Sequence, residues 1–376
     1  MDKILVYSLL MIIISPACNN RNVKTRAADQ ARETVFRTNA GPDNPRNTEG
    51  DFITLKDGRI LFVYTHFTKG TEDSPHSDFG NAFLAGRYSS DQGKTWSTED
   101  VEIVGQEGDM NVMSVSLLRL QNGNITLFYL RKNSLSDCLP YMRISTDEAR
   151  TWSEPVKCIT DNKGYFVVNN NRIIQLKSGR LLMPTSIHKK EDTEYSNSGR
   201  IWCYYSDNNG VTWNRSEEVL KADSVITQEP AVIELKNGDI MMLIRANHGI
   251  QYKSCSKDKG ETWTKAEPSN INSPLSPASI ARIPLTGDLF LVWNNNGEKG
   301  PGYFKGRRNP FTVAISKDEG KTWENIKNIE DDPNLAFCYG AIHFTKDHVL
   351  IAYGVWTKVY VDEYITRLSY DWIYDN

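Results

Sequence analysis

The chain has 376 residues, 39% of them hydrophobic and 10% aromatic, which is enough apolar material to bury a large core. Its formal net charge is −3, from 44 basic and 47 acidic residues. That balance argues against a nucleic-acid-binding protein, so any positive charge the function needs must come from a few placed arginines.

In chain order, Met1-Asp2-Lys3 precedes an apolar run over residues 4–14. The run is shorter than the roughly 20 apolar residues of a membrane-spanning helix, and reads as an export signal over 1–18. Ser15-Pro16-Ala17-Cys18 resembles a bacterial lipoprotein cleavage site. That resemblance implies an exported chain at the periplasm or cell surface, touching a membrane only through acyl chains on Cys18. Residues 19–32 are polar and aperiodic and read as a tether, which leaves 33–376 as the folded domain. Cys138, Cys158, Cys203, Cys255 and Cys338 are scattered and lack metal spacing. They read as small buried side chains, with Cys138–Cys158 an open pairing. No metal or cofactor is expected.

An octapeptide S-x-D-x-G-x-T-W then recurs: SSDQGKTW at 89–96, STDEARTW at 145–152, SDNNGVTW at 206–213, SKDKGETW at 256–263 and SKDEGKTW at 316–323. Ala149 replaces the glycine of the second copy, and Asn208 the aspartate of the third. Ser and Asp side chains can hold turn amides, Gly permits positive φ, and Trp packs under the turn, so each copy is predicted to tip a hairpin. A second repeat interleaves with it. Six apolar strand pairs flank short polar turns at Gly58, Gly123, Gly179, Gly238, Gly287 and Asp347. One unit is therefore two hairpins, the second tipped by the octapeptide. The predicted fold is all-β, a six-bladed β-propeller with four-stranded antiparallel blades. The last unit lacks the octapeptide, and the segment near Val35-Phe36 is expected to lend it a strand.

Within a four-stranded blade both turns lie on one face. The opposite face collects the starts of first strands, the ends of second strands and the loops between strands two and three. Glu229 opens and Arg245 closes the hairpin centred on Asn237, which should bring them together. Tyr339 opens the inner strand of unit six. Arg46 and Glu49 precede that of unit one, Asp78 lies in a loop of unit one, and Arg307-Arg308 in one of unit five. Arg131, Asn169-Asn170-Asn171, Arg172, His66, His188 and His248 also fall near this face.

The octapeptide is the Asp box, and the chain resembles sialidases (neuraminidases) and related Asp-box, BNR-repeat propellers over nearly all of residues 40–376. The boxes themselves read as structural. The resemblance implies Tyr339 as nucleophile, Glu229 as its base, Asp78 as acid, and Arg46, Arg245 and Arg308 as substrate-binding groups; Arg172, by its place near the same face, is a fourth substrate-binding candidate. The family usually shows R-I-P at its first arginine, where this chain shows Arg46-Asn47-Thr48-Glu49-Gly50. The residue types suit the chemistry. A sialic acid carries a carboxylate on its anomeric carbon, which arginines clamp with charge-assisted hydrogen bonds. A carboxylate nucleophile would be repelled by that group, whereas a neutral tyrosine is not, and sialidases are a known exception to the two-carboxylate rule of glycosidases.

The leading expectation is an exo-acting retaining sialidase that takes a glycan with a terminal acidic sugar and works as a monomer. Two alternatives stand beside it: hydrolysis of another anionic 2-keto sugar acid, and a non-catalytic glycan-binding propeller.

Overall fold

The computed structural model describes residues 31–71, 74, 77–297 and 308–375. The export signal with Cys18, all but the last two residues of the expected tether, and Arg307 lie outside the described residues.

The described residues form four sheets, none closed on itself, and one short helix, Tyr370–Tyr374. An eight-stranded sheet runs Ala336–Phe344, His348–Trp356, Val361–Ser369, Arg46–Thr54, Ile60–Phe67, Ala82–Ser89 and Val101–Val104, with Arg32–Arg37 added on Val361–Ser369. A nine-stranded sheet holds residues 111–215. Two four-stranded sheets follow: Thr227–Glu234, Ile240–Ala246, Ile250–Ser256 and Glu267–Asn272, then Ser279–Arg282, Leu289–Asn294, Phe311–Ser316 and Glu324–Glu330. The expected count of six separate sheets becomes four for a simple reason. Each wide sheet is two antiparallel groups welded by one parallel pairing, Arg46 to Val361 in the first and Tyr165 to Cys138 in the second. The strand carrying Val35 and Phe36 pairs with the last long strand, Thr34 opposite Thr366 and Phe36 opposite Ile365.

The second strand of each repeat forms the core. Ile60–Phe67, Leu181–Lys190, Ile240–Ala246, Leu289–Asn294 and His348–Trp356 are buried almost from end to end, as strands covered on both faces must be. Each large aliphatic or aromatic side chain buried there contributes about 1.5–3 kcal/mol.

The Ser and Asp of each octapeptide, or Asn208 in the third, hold the turn from within it. In the first, Gly93 N–H donates to Ser89 Oγ at 2.9 Å, Thr95 N–H to Asp91 Oδ1 at 2.8 Å and Trp96 Nε1–H to Gly93 O at 3.2 Å. Asn208 substitutes cleanly because its Oδ1 still accepts from Thr212 N–H at 2.9 Å, while its amide donates to Thr212 Oγ1 at 2.8 Å.

The inner strands behave differently. The pairing register breaks between Thr48 and Asp51, Met113 and Ser116, Gln228 and Pro230, and Cys338 and Ala341. Each break holds one non-glycine residue in the left-handed region: Glu49 at φ 59°, Ser114 at 61°, Glu229 at 39° and Tyr339 at 60°. These bulges interrupt the alternation of the strand and turn one side chain out of line with its neighbours.

Candidate active site

The four bulged residues meet. Glu49, Ser114, Glu229 and Tyr339 line one basin of about 270 Å³ together with Asp78, Lys132, Asn169, His188, Arg245 and Arg308. A left-handed conformation costs a non-glycine residue about 1–2 kcal/mol. Its repetition at four inner strands around a single basin means that the surrounding structure holds these side chains there.

At one end of the basin Tyr339 Oη donates to Glu229 Oε1 at 3.2 Å. The other oxygen of Glu229 is ion-paired with Arg245, across the hairpin that was expected to unite them. Arg308 lies over the Tyr339 ring, 5.5 Å from its centroid, and Trp356 packs against that ring at 5.7 Å. Burial by itself would raise the Glu229 pKa, but the Arg245 guanidinium outweighs it and holds the carboxyl below its usual value. Burial, and then the Glu229 charge, push the Tyr339 phenol well above its ordinary pKa. At rest the pair is a neutral phenol donating to a carboxylate, the arrangement of a nucleophile beside its base. His188 also lines this wall, and burial lowers its pKa, keeping the ring neutral.

At the other end Arg46 pairs with both Asp78 and Glu49, the latter at 3.1 Å, and Ser114 Oγ donates to Glu49. The Asp78 side chain is 51% exposed, at the mouth of the basin. Desolvation in the basin would raise its pKa, but Arg46 and then Lys132 bring it down to about 2. The Asp78 main chain is fastened from the second unit: Lys132 Nζ and Asn111 Nδ2 each donate to its carbonyl oxygen at 2.9 Å.

Five expected site residues, Asp78, Glu229, Tyr339, Arg245 and Arg308, therefore line one basin. Arg46 sits behind it, buried, bridging Asp78 and Glu49. Arg172 differs from expectation. It is not among the lining residues, is only 2% exposed, and donates through Nη1 to Ser279 Oγ at 2.9 Å. Burial drops its pKa to about 10. It follows Asn171, itself left-handed at φ 55°, and its guanidinium goes to the inner strand Ser279–Arg282 instead of the basin. Asn169 lines the basin, whereas Asn170 and Asn171 bind main chain and Asp51. Arg131 stacks on Tyr141, His66 pairs with Asp100 and His248 bonds Tyr252; none of the three lines the basin. Ser114, Lys132, Tyr165, Tyr195 and Gln228 line it without having been singled out. One regularity could have found Ser114: Glu49, Ser114 and Glu229 each stand nine residues before a turn glycine, Gly58, Gly123 and Gly238.

An all-β repeat protein with box-tipped hairpins and an arginine-rich basin holding a paired tyrosine and glutamate defines a narrow class. Residues 87–351 match the BNR repeat-like domain. The chain belongs to that family, within the sialidase superfamily. It is 30% identical over 308 residues to a sialidase of Bacteroides fragilis (strain YCH46), an alignment covering 72% of this chain and 53% of that protein. It is 29% identical over 296 residues to a sialidase of Paraclostridium sordellii, covering 69% of each. The chain thus spans about half the length of the first relative. Among solved structures, the Hadza microbial sialidase Hz136 superposes with a TM-score of 0.69 at 18% identity, covering 91% of this chain and 69% of that one. At that identity the likeness speaks for the fold alone.

Proposed function

We propose that this chain is an exo-acting, retaining sialidase that removes a terminal sialic acid from glycans. The observation that carries the reading is the 3.2 Å hydrogen bond from Tyr339 Oη to Glu229 Oε1, within a basin that also holds Arg245, Arg308 and Asp78. The sugar carboxylate binds the arginines. Glu229 takes the phenolic proton as Tyr339 oxygen bonds to the anomeric carbon, and Asp78 gives a proton to the departing glycosidic oxygen. Asp78 then removes a proton from water, which attacks the anomeric carbon, releases the sugar and returns the phenol. Two displacements at one carbon retain its configuration. Release of free sialic acid from a fluorogenic sialoside tests the reading. No release, with turnover of a different 2-keto sugar acid, selects the second reading. That second reading is favoured by Arg46 being engaged by both Asp78 and Glu49 where the family's first arginine is expected.

The six repeats form a six-bladed ring in this proposal. Support comes from the chain of inner-strand neighbours: Arg46–Thr54 touches Asn111–Arg119 and Ala336–Phe344, and Ser279–Arg282 touches Thr227–Glu234 and Ala336–Phe344. The exported, lipid-anchored location rests on residues 1–18. Labelled fatty acid should enter the wild type and not the Cys18→Ala variant.

A further inference from the structure

Tyr339 stands where its own strand cannot hold it. The pairing with His348–Trp356 breaks between Cys338 and Ala341, so the carbonyls of Tyr339 and Gly340 lack ladder partners in a buried setting. Buried carbonyls need donors, and a tyrosine at φ 60° needs restraint. A distant tripeptide supplies them, directly at Tyr339 and through Ser279 at Gly340. Asn170 Nδ2 donates to Tyr339 O at 3.0 Å, and Ile342 N–H donates to Asn171 Oδ1 at 3.1 Å. Arg172 Nη1 donates to Ser279 Oγ at 2.9 Å, and Ser279 Oγ donates to Gly340 O at 2.5 Å.

Two of the three, Asn170 and Asn171, also hold the opposite end of the basin. The second N–H of Asn170 Nδ2 reaches Gly50 O at 2.9 Å, beside Glu49, and Asn171 Nδ2 reaches Asp51 Oδ1 at 2.8 Å. The tripeptide is anchored in turn on the second unit's bulge, Asn171 N–H on Val115 O at 3.0 Å and Arg172 N–H on Ser116 Oγ at 3.1 Å. None of the three lines the basin, and Asn170 is fully buried.

We propose that Asn170, with Asn171 and Arg172, is a positioning element that sets the left-handed backbone of Tyr339 and so aims its phenol at Glu229. The proposal rests on the reading of Tyr339 as the nucleophile. Asn170 never touches substrate; it acts through the carbonyl of Tyr339. Releasing that carbonyl lets the bulge relax and carries the phenol away from its base.

Two variants test it, Asn170→Ala and the near-isosteric Asn170→Asp. Both are expected to lose roughly 10²-fold in kcat, the scale of a misplacement of about 1 Å, with KM and competitor affinity within about threefold. An ionised carboxylate at this position cannot donate, but a protonated one can. Asn170→Asp should therefore recover kcat as pH falls, a limb absent from the wild type and not expected of general loosening. The fraction folded, read by melting, normalises both variants, and Asn170→Asp decides alone if the alanine variant does not fold. A crystal structure of Asn170→Asp at a pH above that limb, where the carboxylate is ionised, should show Tyr339 Oη out of hydrogen-bond reach of Glu229. Unchanged geometry there, or kcat per folded molecule within twofold of wild type, would overturn the proposal. Wild-type turnover by Tyr339→Phe would instead sink the nucleophile reading, and the crystal structure separates the two failures.

Discussion

The Asp-box turns and the basin bulges solve the same backbone problem in opposite ways. Both place residues in the left-handed region. In the boxes two successive residues are left-handed and the second is glycine in four of the five copies, Gly93, Gly210, Gly260 and Gly320, its N–H held by the Ser of the same octapeptide. In the bulges the left-handed residue is Glu49, Ser114, Glu229 or Tyr339, and the groups that hold it come from other units; Asn170 is 169 positions from Tyr339. Local restraint yields a turn that stabilises wherever it is placed. Distant restraint yields a side chain aimed at one point, at the expense of backbone strain.

That contrast makes the two regions separable by mutation. The largest effect should come from Tyr339→Phe, which removes the proposed nucleophile's phenolic oxygen and leaves the ring against Arg308 and Trp356. Turnover of a fluorogenic sialoside should fall by at least about 10³-fold with the melting temperature nearly unchanged. Activity within tenfold of wild type would break the comparison at its functional end.

Arg46→Met should come next. Asp78 is held at about 2 by Arg46 and Lys132 in the free protein, so its role as an acid requires that a bound glycan raise its pKa. Without Arg46, burial pulls its pKa upward, and the fraction protonated at a given pH rises. The falling limb of the kcat profile, which reports the Asp78 acid in the substrate complex, should move to higher pH, while kcat/KM at the optimum drops roughly 10–100-fold from the lost positive charge. A limb that stays in place would separate Asp78 from the acid role.

On the box side, Ser256→Ala removes the acceptor for Gly260 N–H at 2.8 Å and for Asp258 N–H. It should cost about 1–3 kcal/mol in denaturant unfolding and leave kcat within about twofold. A catalytic loss without a stability loss would refute the division of labour. The smallest effect should follow Ala149→Gly. Ala149 sits at φ 61° where the other boxes carry glycine, so relief of strain should raise stability by about 1 kcal/mol, read as a shift in the unfolding midpoint.

Legibility in the sequence follows the same line. The boxes could be read because Ser, Asp, Gly and Trp act on one another within eight residues. Glu229 and Arg245 could be paired because one hairpin joins them. Strand topology put Tyr339, Asp78 and Arg308 on one face, but their roles were reached only through the resemblance to a family. Arg172 was misplaced because nothing local reveals which way a side chain goes beside a left-handed Asn171. Lys132 looked like one more strand residue, although it fastens the Asp78 loop from the next unit.

By itself, the sequence determined the repeating unit, its turns and the apolar strands that must be buried, since these depend on spacing and on interactions among near neighbours. Only the tertiary structure decided that four bulges converge on one basin, that Arg46 stands behind Asp78 while Arg172 lies outside the lining, and that two parallel pairings weld units together. Those outcomes depend on groups in different strands and units, from 27 residues apart for Cys138 and Tyr165 to 315 for Arg46 and Val361, whose meeting is set by how whole sheets pack and leaves no periodic trace along the chain.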